Sequence, residues 1–158
     1  MDVKRRDVLK AGGGVTLASL LVAAGWLTPG EALAADAWNK AAFEAKSLDD
    51  TVKAMGGSSP AQSKDIAFVQ TPDIAENGAV VPIGVSSAIP KTTAIAILIE
   101  KNPNVLAAVF EIPAGTEPAV STRVKMGQSS NIYALVKADG KFYYTTKEVK
   151  VTLGGCGG

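Results

Sequence analysis

The chain has 158 residues, with 16 Lys and Arg against 15 Asp and Glu and a net charge of +1. That length suits one ordinary domain once any export signal is set aside, and that balance points to neither nucleic acid nor an anionic membrane surface as a partner. Histidine is absent and cysteine occurs once, which removes the usual general base, haem ligand and zinc ligand, any Cys-His nucleophile pair and any internal disulfide.

Residues 1–34 read as an export signal. Lys4-Arg5-Arg6-Asp7-Val8-Leu9-Lys10 is a charged start, residues 15–24 are a short apolar run, and Ala32-Leu33-Ala34 is an A-x-A cleavage site. The apolar run is too short to span a bilayer, which takes about 20 residues. Arg5-Arg6 followed by Val8-Leu9-Lys10 is similar to the twin-arginine signal that exports folded proteins. The expected mature chain starts at Ala35 in the periplasm, with no membrane attachment after cleavage.

Residues 35–63 are expected to be a helical segment. Trp38, Ala41, Ala42, Ala45, Leu48, Val52 and Met55 recur at three- and four-residue spacing, which lays them along one face as packing surface. Ser47 with Asp50 three residues on has the form of a capping box, so two short helices breaking at Ser47 are expected, stopped by Gly56-Gly57.

Beyond residue 63 the period becomes alternating. Candidate strands cover 64–70, 79–85, 93–100, 105–112, 119–126, 131–138, 141–146 and 148–153, rich in Val, Ile, Thr and Tyr. Turn residues separate them, and Asp139-Gly140 is the clearest two-residue hairpin signal. Seven or eight short strands behind a helical preface predict an all-β antiparallel sandwich over residues 64–153. Pro82 should sit at an edge or bulge, because it has no N–H to donate. On residues 119–126, Val120, Thr122, Val124 and Met126 should face the core and Ser121, Arg123 and Lys125 the water.

Little else carries chemistry. Glu111, Glu117 and Asp139 form no evident carboxylate pair, and Ser86-Ser87 and Ser129-Ser130 have no histidine to act as base. Gly12-Gly13-Gly14 follows no strand, so it is no phosphate loop. Arg123, Lys125 and Lys150 are candidates for a basic patch.

The sequence ends in Gly154-Gly155-Cys156-Gly157-Gly158. Glycine on both sides gives the least bulk and the most backbone freedom, so residues 154–158 read as a swinging arm presenting one thiol. An unperturbed thiol titrates near about 8.5, and no cation lies within the tail to lower that value. The chemistry must then come from a partner that activates or oxidises the sulfur, which makes the chain a carrier rather than an enzyme. A thiol-dependent redox enzyme, peroxidase or disulfide exchanger, is the alternative, opposed by the lack of a resolving cysteine. A ubiquitin-like carrier using the Gly157-Gly158 carboxylate is a second rival. In an oxidising compartment, an exposed odd thiol also predicts disulfide dimers through Cys156.

Glu148-Val149-Lys150-Val151-Thr152-Leu153 running into the terminal pentapeptide resembles the SoxY family, the carrier subunit of the SoxYZ complex in bacterial sulfur oxidation. Ile74-Ala75-Glu76-Asn77-Gly78-Ala79-Val80-Val81-Pro82, Glu100-Lys101-Asn102-Pro103-Asn104 and Ser121-Thr122-Arg123-Val124-Lys125-Met126 agree, as does the signal. The resemblance implies an immunoglobulin-like sandwich with an N-terminal helical segment, joined in a heterodimer to a SoxZ-like subunit. It also implies that Cys156 is joined oxidatively to thiosulfate by a SoxAX-like haem enzyme. Sulfate is then released by a SoxB-like manganese hydrolase, and in some organisms a SoxCD-like sulfane dehydrogenase follows. No cofactor is implied for this chain itself.

Overall fold

The computed structural model of the chain describes residues 39–152. Two short helices come first, α1 (Lys40–Glu44) and α2 (Leu48–Ala54). They separate at Ser47, whose hydroxyl accepts the Asp50 N–H at 3.1 Å and donates to the Asp50 carboxylate at 2.7 Å. This satisfies one of the otherwise unpaired N–H groups of the first turn of α2. Asn39 caps α1 in the same way, accepting the Ala42 N–H at 3.1 Å. Gly56, at φ +84°, ends the helical region in the left-handed conformation that glycine adopts readily. Ala42, Ala45 and Val52 are buried, but Ala41 is exposed. The break resets the helical phase, so the apolar stripe expected over residues 36–55 is not continuous. Trp38 lies outside the described residues.

Nine strands follow among the described residues: β1 (Ala61–Gln62), β2 (Ile66–Val69), β3 (Ile74–Ala75), β4 (Val81–Ser87), β5 (Thr92–Ile99), β6 (Leu106–Glu111), β7 (Ala119–Val124), β8 (Ser130–Ala138) and β9 (Lys141–Val151). The larger sheet has the order β1-β9-β8-β5-β6, with β3 also on β9, and the smaller sheet has the order β2-β4-β7. Asp139 and Gly140 turn β8 into β9 with φ of +49° and +75°, the two positive values that a type I′ hairpin requires. Thr146-Lys147-Glu148 contains no turn residue, and the expected strands 141–146 and 148–153 are one strand that ends at Val151. The β1 and β3 pairings with β9 are parallel, an addition to the antiparallel pattern expected.

The sandwich has three layers. Ile66, Val81, Ile83, Val85, Val124 and Met126 of the small sheet and its flanks meet Ile95, Ile97, Ile99, Ile132, Val136 and Val149 of the large one. On the other face of the large sheet, Ala96, Leu98, Leu135 and Phe142 pack against Ala42 and Val52 of the helices. β5 is therefore buried on both faces from Ala94 to Ile99. Each fully buried Val, Leu or Ile contributes about 1.5–3 kcal/mol relative to exposure. β2 reaches only as far as Val69, opposite Gly84, so at Pro82 the strand β4 has a partner on the β7 side alone. Pro82 thus sits where the sheet is locally an edge, as its missing N–H demands.

Candidate functional site

Cys156, the flanking Gly154, Gly155, Gly157 and Gly158, and the signal arginines Arg5 and Arg6 lie outside the described residues. What the structure places is the root from which the terminal segment departs, the end of β9. The last pair of the β8 ladder is Ser130 opposite Val149. Beyond it, Ser129 takes over as a side-chain partner, its Oγ accepting the Val151 N–H at 2.9 Å. On the other edge, the Lys150 N–H donates to the Asp73 carbonyl at 2.9 Å and the Thr152 N–H to the Ala75 carbonyl at 3.0 Å. Strand β9 is therefore gripped on both edges to its last turn of pleat, and the terminal segment starts from a fixed point.

The β3 side of this grip is itself pinned. Lys147 Nζ donates to the Thr71 carbonyl at 2.6 Å and pairs with the Asp73 carboxylate at 3.0 Å. Because the Lys147 side chain is largely shielded from water while Asp73 is open to it, the bond to the Thr71 carbonyl is the better protected of the two.

The stretches that carried the family resemblance converge on this root. The Met126 N–H donates to the Gly78 carbonyl at 2.7 Å. A Cβ built on Gly78 would meet the Met126 carbonyl oxygen at 2.5 Å and the Val151 side chain at 2.8 Å, so only glycine lets these three segments close together. Asn102 donates from Nδ2 to the Lys125 carbonyl at 2.8 Å and accepts the Gly127 N–H at 3.3 Å. Glu100 accepts from Asn131 at 3.0 Å and from the Tyr133 hydroxyl at 3.1 Å. Burial first, and then the Glu100 carboxylate, push the Tyr133 phenol above its ordinary pKa of 10.0.

The candidate basic patch does not form as one surface. Val124 and Met126 point into the core from the small sheet, as Val149 does from the large one. Arg123 and Lys125 therefore face outward from one sheet and Lys150 from the other. Ser129 and Ser130, which lack a base, serve the scaffold instead, Ser130 Oγ accepting the Lys101 N–H at 3.0 Å. The role of Ser129 had no signal in the sequence, because its partner is 22 residues away. Asp139 pairs with Lys91 at 3.3 Å. No group of three or more metal-ligating side chains occurs among the described residues.

Residues 52–156 match the family model described as sulfur oxidation protein SoxY, a span that ends on the position of Cys156. The chain belongs to the SoxY family. The structure of the sulfur carrier protein SoxY from Chlorobium limicola f thiosulfatophilum is 40% identical, with a TM-score of 0.61, over 67% of this chain and 96% of that one. The superoxide reductase neelaredoxin of Ignicoccus hospitalis is 20% identical, with a TM-score of 0.49, over 55% of this chain and 79% of that one. That of Archaeoglobus fulgidus is 17% identical, with a TM-score of 0.41, over 54% and 85%. Comparison with the curated proteins gives no match.

Proposed function

We propose that the chain is exported by a twin-arginine signal over residues 1–34 and works in the periplasm as a covalent sulfur carrier. Cys156 holds thiosulfate-derived groups and presents them to successive enzymes, and the chain catalyses none of the steps. In the loading step the thiol releases its proton, a sulfur–sulfur bond forms to thiosulfate, and two electrons pass to the haem of a SoxAX-like enzyme. In the next step water attacks the terminal sulfonate at a SoxB-like manganese hydrolase, sulfate and two protons leave, and a persulfide stays on Cys156. A SoxZ-like subunit completes the carrier, and a SoxCD-like dehydrogenase is the further partner where one is present.

The observation that carries this reading is the family match, which extends to the position of the single cysteine. The geometry is in keeping with it: β9 is gripped on both edges up to Thr152, so a segment leaving there starts from a rigid handle. Four glycines around one cysteine offer several different enzymes little shape to reject. Cys156→Ser in the reconstituted system is expected to abolish thiosulfate consumption, while the variant keeps the wild-type thermal midpoint. Undiminished consumption would overturn the proposal. Disulfide dimers through Cys156 are the expected by-product in the wild type.

A further inference from the structure

A cavity of about 480 Å³ opens where the helical segment meets the large sheet, within the size range of small-ligand sites, about 300–1,000 Å³. Tyr133, Tyr144, Glu100, Asp49, Ser59 and Lys46 are among the residues that line it. The two tyrosines are half-buried neighbours on β8 and β9, with ring centroids 6.1 Å apart and planes inclined at 58°.

The charges along this wall are unbalanced. Glu100 accepts one hydrogen bond on each carboxylate oxygen, from Asn131 at 3.0 Å and from the Tyr133 hydroxyl at 3.1 Å, and both donors are neutral. The ion pairs among the described residues are Lys40–Glu44, Lys91–Asp139 and Lys147–Asp73, so neither Glu100 nor Asp49 has a cation. Lys46, the cation of the wall, already donates to the Pro103 carbonyl at 2.6 Å and to Asn104 Oδ1 at 2.7 Å. The Tyr144 and Ser59 hydroxyls make no hydrogen bond within the described chain. A carboxylate has about four lone-pair sites, so about half of those on Glu100 stay open.

A guanidinium group meets these features together. Its planar fork reaches two acceptor sites at once, it stacks on aromatic rings, and it gives up water more readily than an ammonium does. The chain has no such group to offer here. Its one Arg within residues 39–152, Arg123, stands on β7 of the small sheet. Outside those residues its Lys and Arg are Lys4, Arg5, Arg6 and Lys10, all within the expected export signal, and residues 35–38 and 153–158 contain neither.

We propose that this cavity is a recognition site for a guanidinium group from outside the chain, seated on the open oxygens of Glu100 beside the Asp49 carboxylate and the rings of Tyr133 and Tyr144. It goes beyond the carrier role of Cys156 and does not rest on it. Burial and then Glu100 hold the Tyr133 phenol above 10.0, and a cation seated on Glu100 draws it back down.

The test titrates the full mature chain, kept reduced, with three probes while the ring protons of Tyr133 and Tyr144 are followed by nuclear magnetic resonance. The probes are N-acetylarginine amide, which carries the group as a protein side chain does, ethylguanidinium, which carries it free, and N-acetylcitrulline amide, the neutral counterpart of the first. Saturable shifts with a Kd on the order of 1 mM are expected for the two cations and none for the citrulline probe. Tighter binding of N-acetylarginine amide assigns the site to an arginine of another protein, and tighter binding of ethylguanidinium assigns it to a small molecule; either supports the proposal. Glu100→Gln is expected to weaken both cations about 10-fold, and Asp49→Asn, an exposed change on α2, by a smaller factor. At saturation the ionisation of Tyr133 should move to lower pH. Ring signals that ignore both cations, a citrulline probe that binds as well as the arginine one, or undiminished affinity in Glu100→Gln would each overturn the site and leave the carrier reading untouched.

Discussion

Gly78 occupies a point with no room for a side chain. Its Cβ would meet a backbone carbonyl oxygen of residue 126 at 2.5 Å, and backbone gives way less easily than the tip of a side chain. Gly78→Ala is expected to destabilise the protein by about 1–3 kcal/mol, read as a lowered denaturant midpoint with an unchanged slope, and to speed amide exchange at Val151 and Thr152. An unchanged midpoint would mean that the root is looser than its hydrogen bonds imply. Tyr133 offers a test by pH. Its phenol titrates above 10.0 through burial and then Glu100, so the neutral form is favoured by folding. That stability is fully present below the unfolded pKa and is lost as pH rises through the folded one. Ultraviolet titration should find Tyr133 ionising above the ordinary phenol range. Tyr133→Phe should delete that step, and Glu100→Gln should lower it only in part. Ser47 and Ser129 mark the limit of legibility at this scale. The partner of Ser47 is three residues away and the spacing announced it, whereas Ser129 grips a strand that only the completed fold brings alongside.

Elements follow the same division. The break between α1 and α2, the Asp139-Gly140 hairpin and the edge position of Pro82 rest on local chemistry, and each was readable from a few adjacent residues. β1 and β3, with two residues each, carry no period for a pattern to reveal and exist only because β9 offers an open edge. The division expected at residue 147 has no turn residue behind it. Continuous pairing with β8 from Lys141 to Val149 overrides it. The cap of α2 gives this scale its prediction: Ser47→Ala removes the acceptor for the Asp50 N–H and should cost about 1 kcal/mol by thermal or chemical denaturation. A cost near zero would assign the stability of α2 to the burial of Val52 alone.

At the scale of the whole molecule, residues 39–152 form a three-layer body in which β5 is buried on both faces from Ala94 to Ile99, and Cys156 follows β9 in the sequence. The core was legible because alternating Val, Ile and Ala leave few other ways to bury them. The gathering of residues 74–82, 100–104 and 121–126 around one end was not, because it depends on which strand ends come to lie side by side. Those three stretches meet near the end of β9, from which the chain runs to Cys156, the sulfur proposed to hold the cargo. Intact-mass spectrometry of the protein from cells given thiosulfate, followed by tryptic mapping, tests that claim most directly. The expected result is a mass gain of one thiosulfate unit or of single sulfur atoms, removed by a thiol reductant and confined to residues 151–158. An unmodified mass, or an adduct on any other peptide, would contradict it.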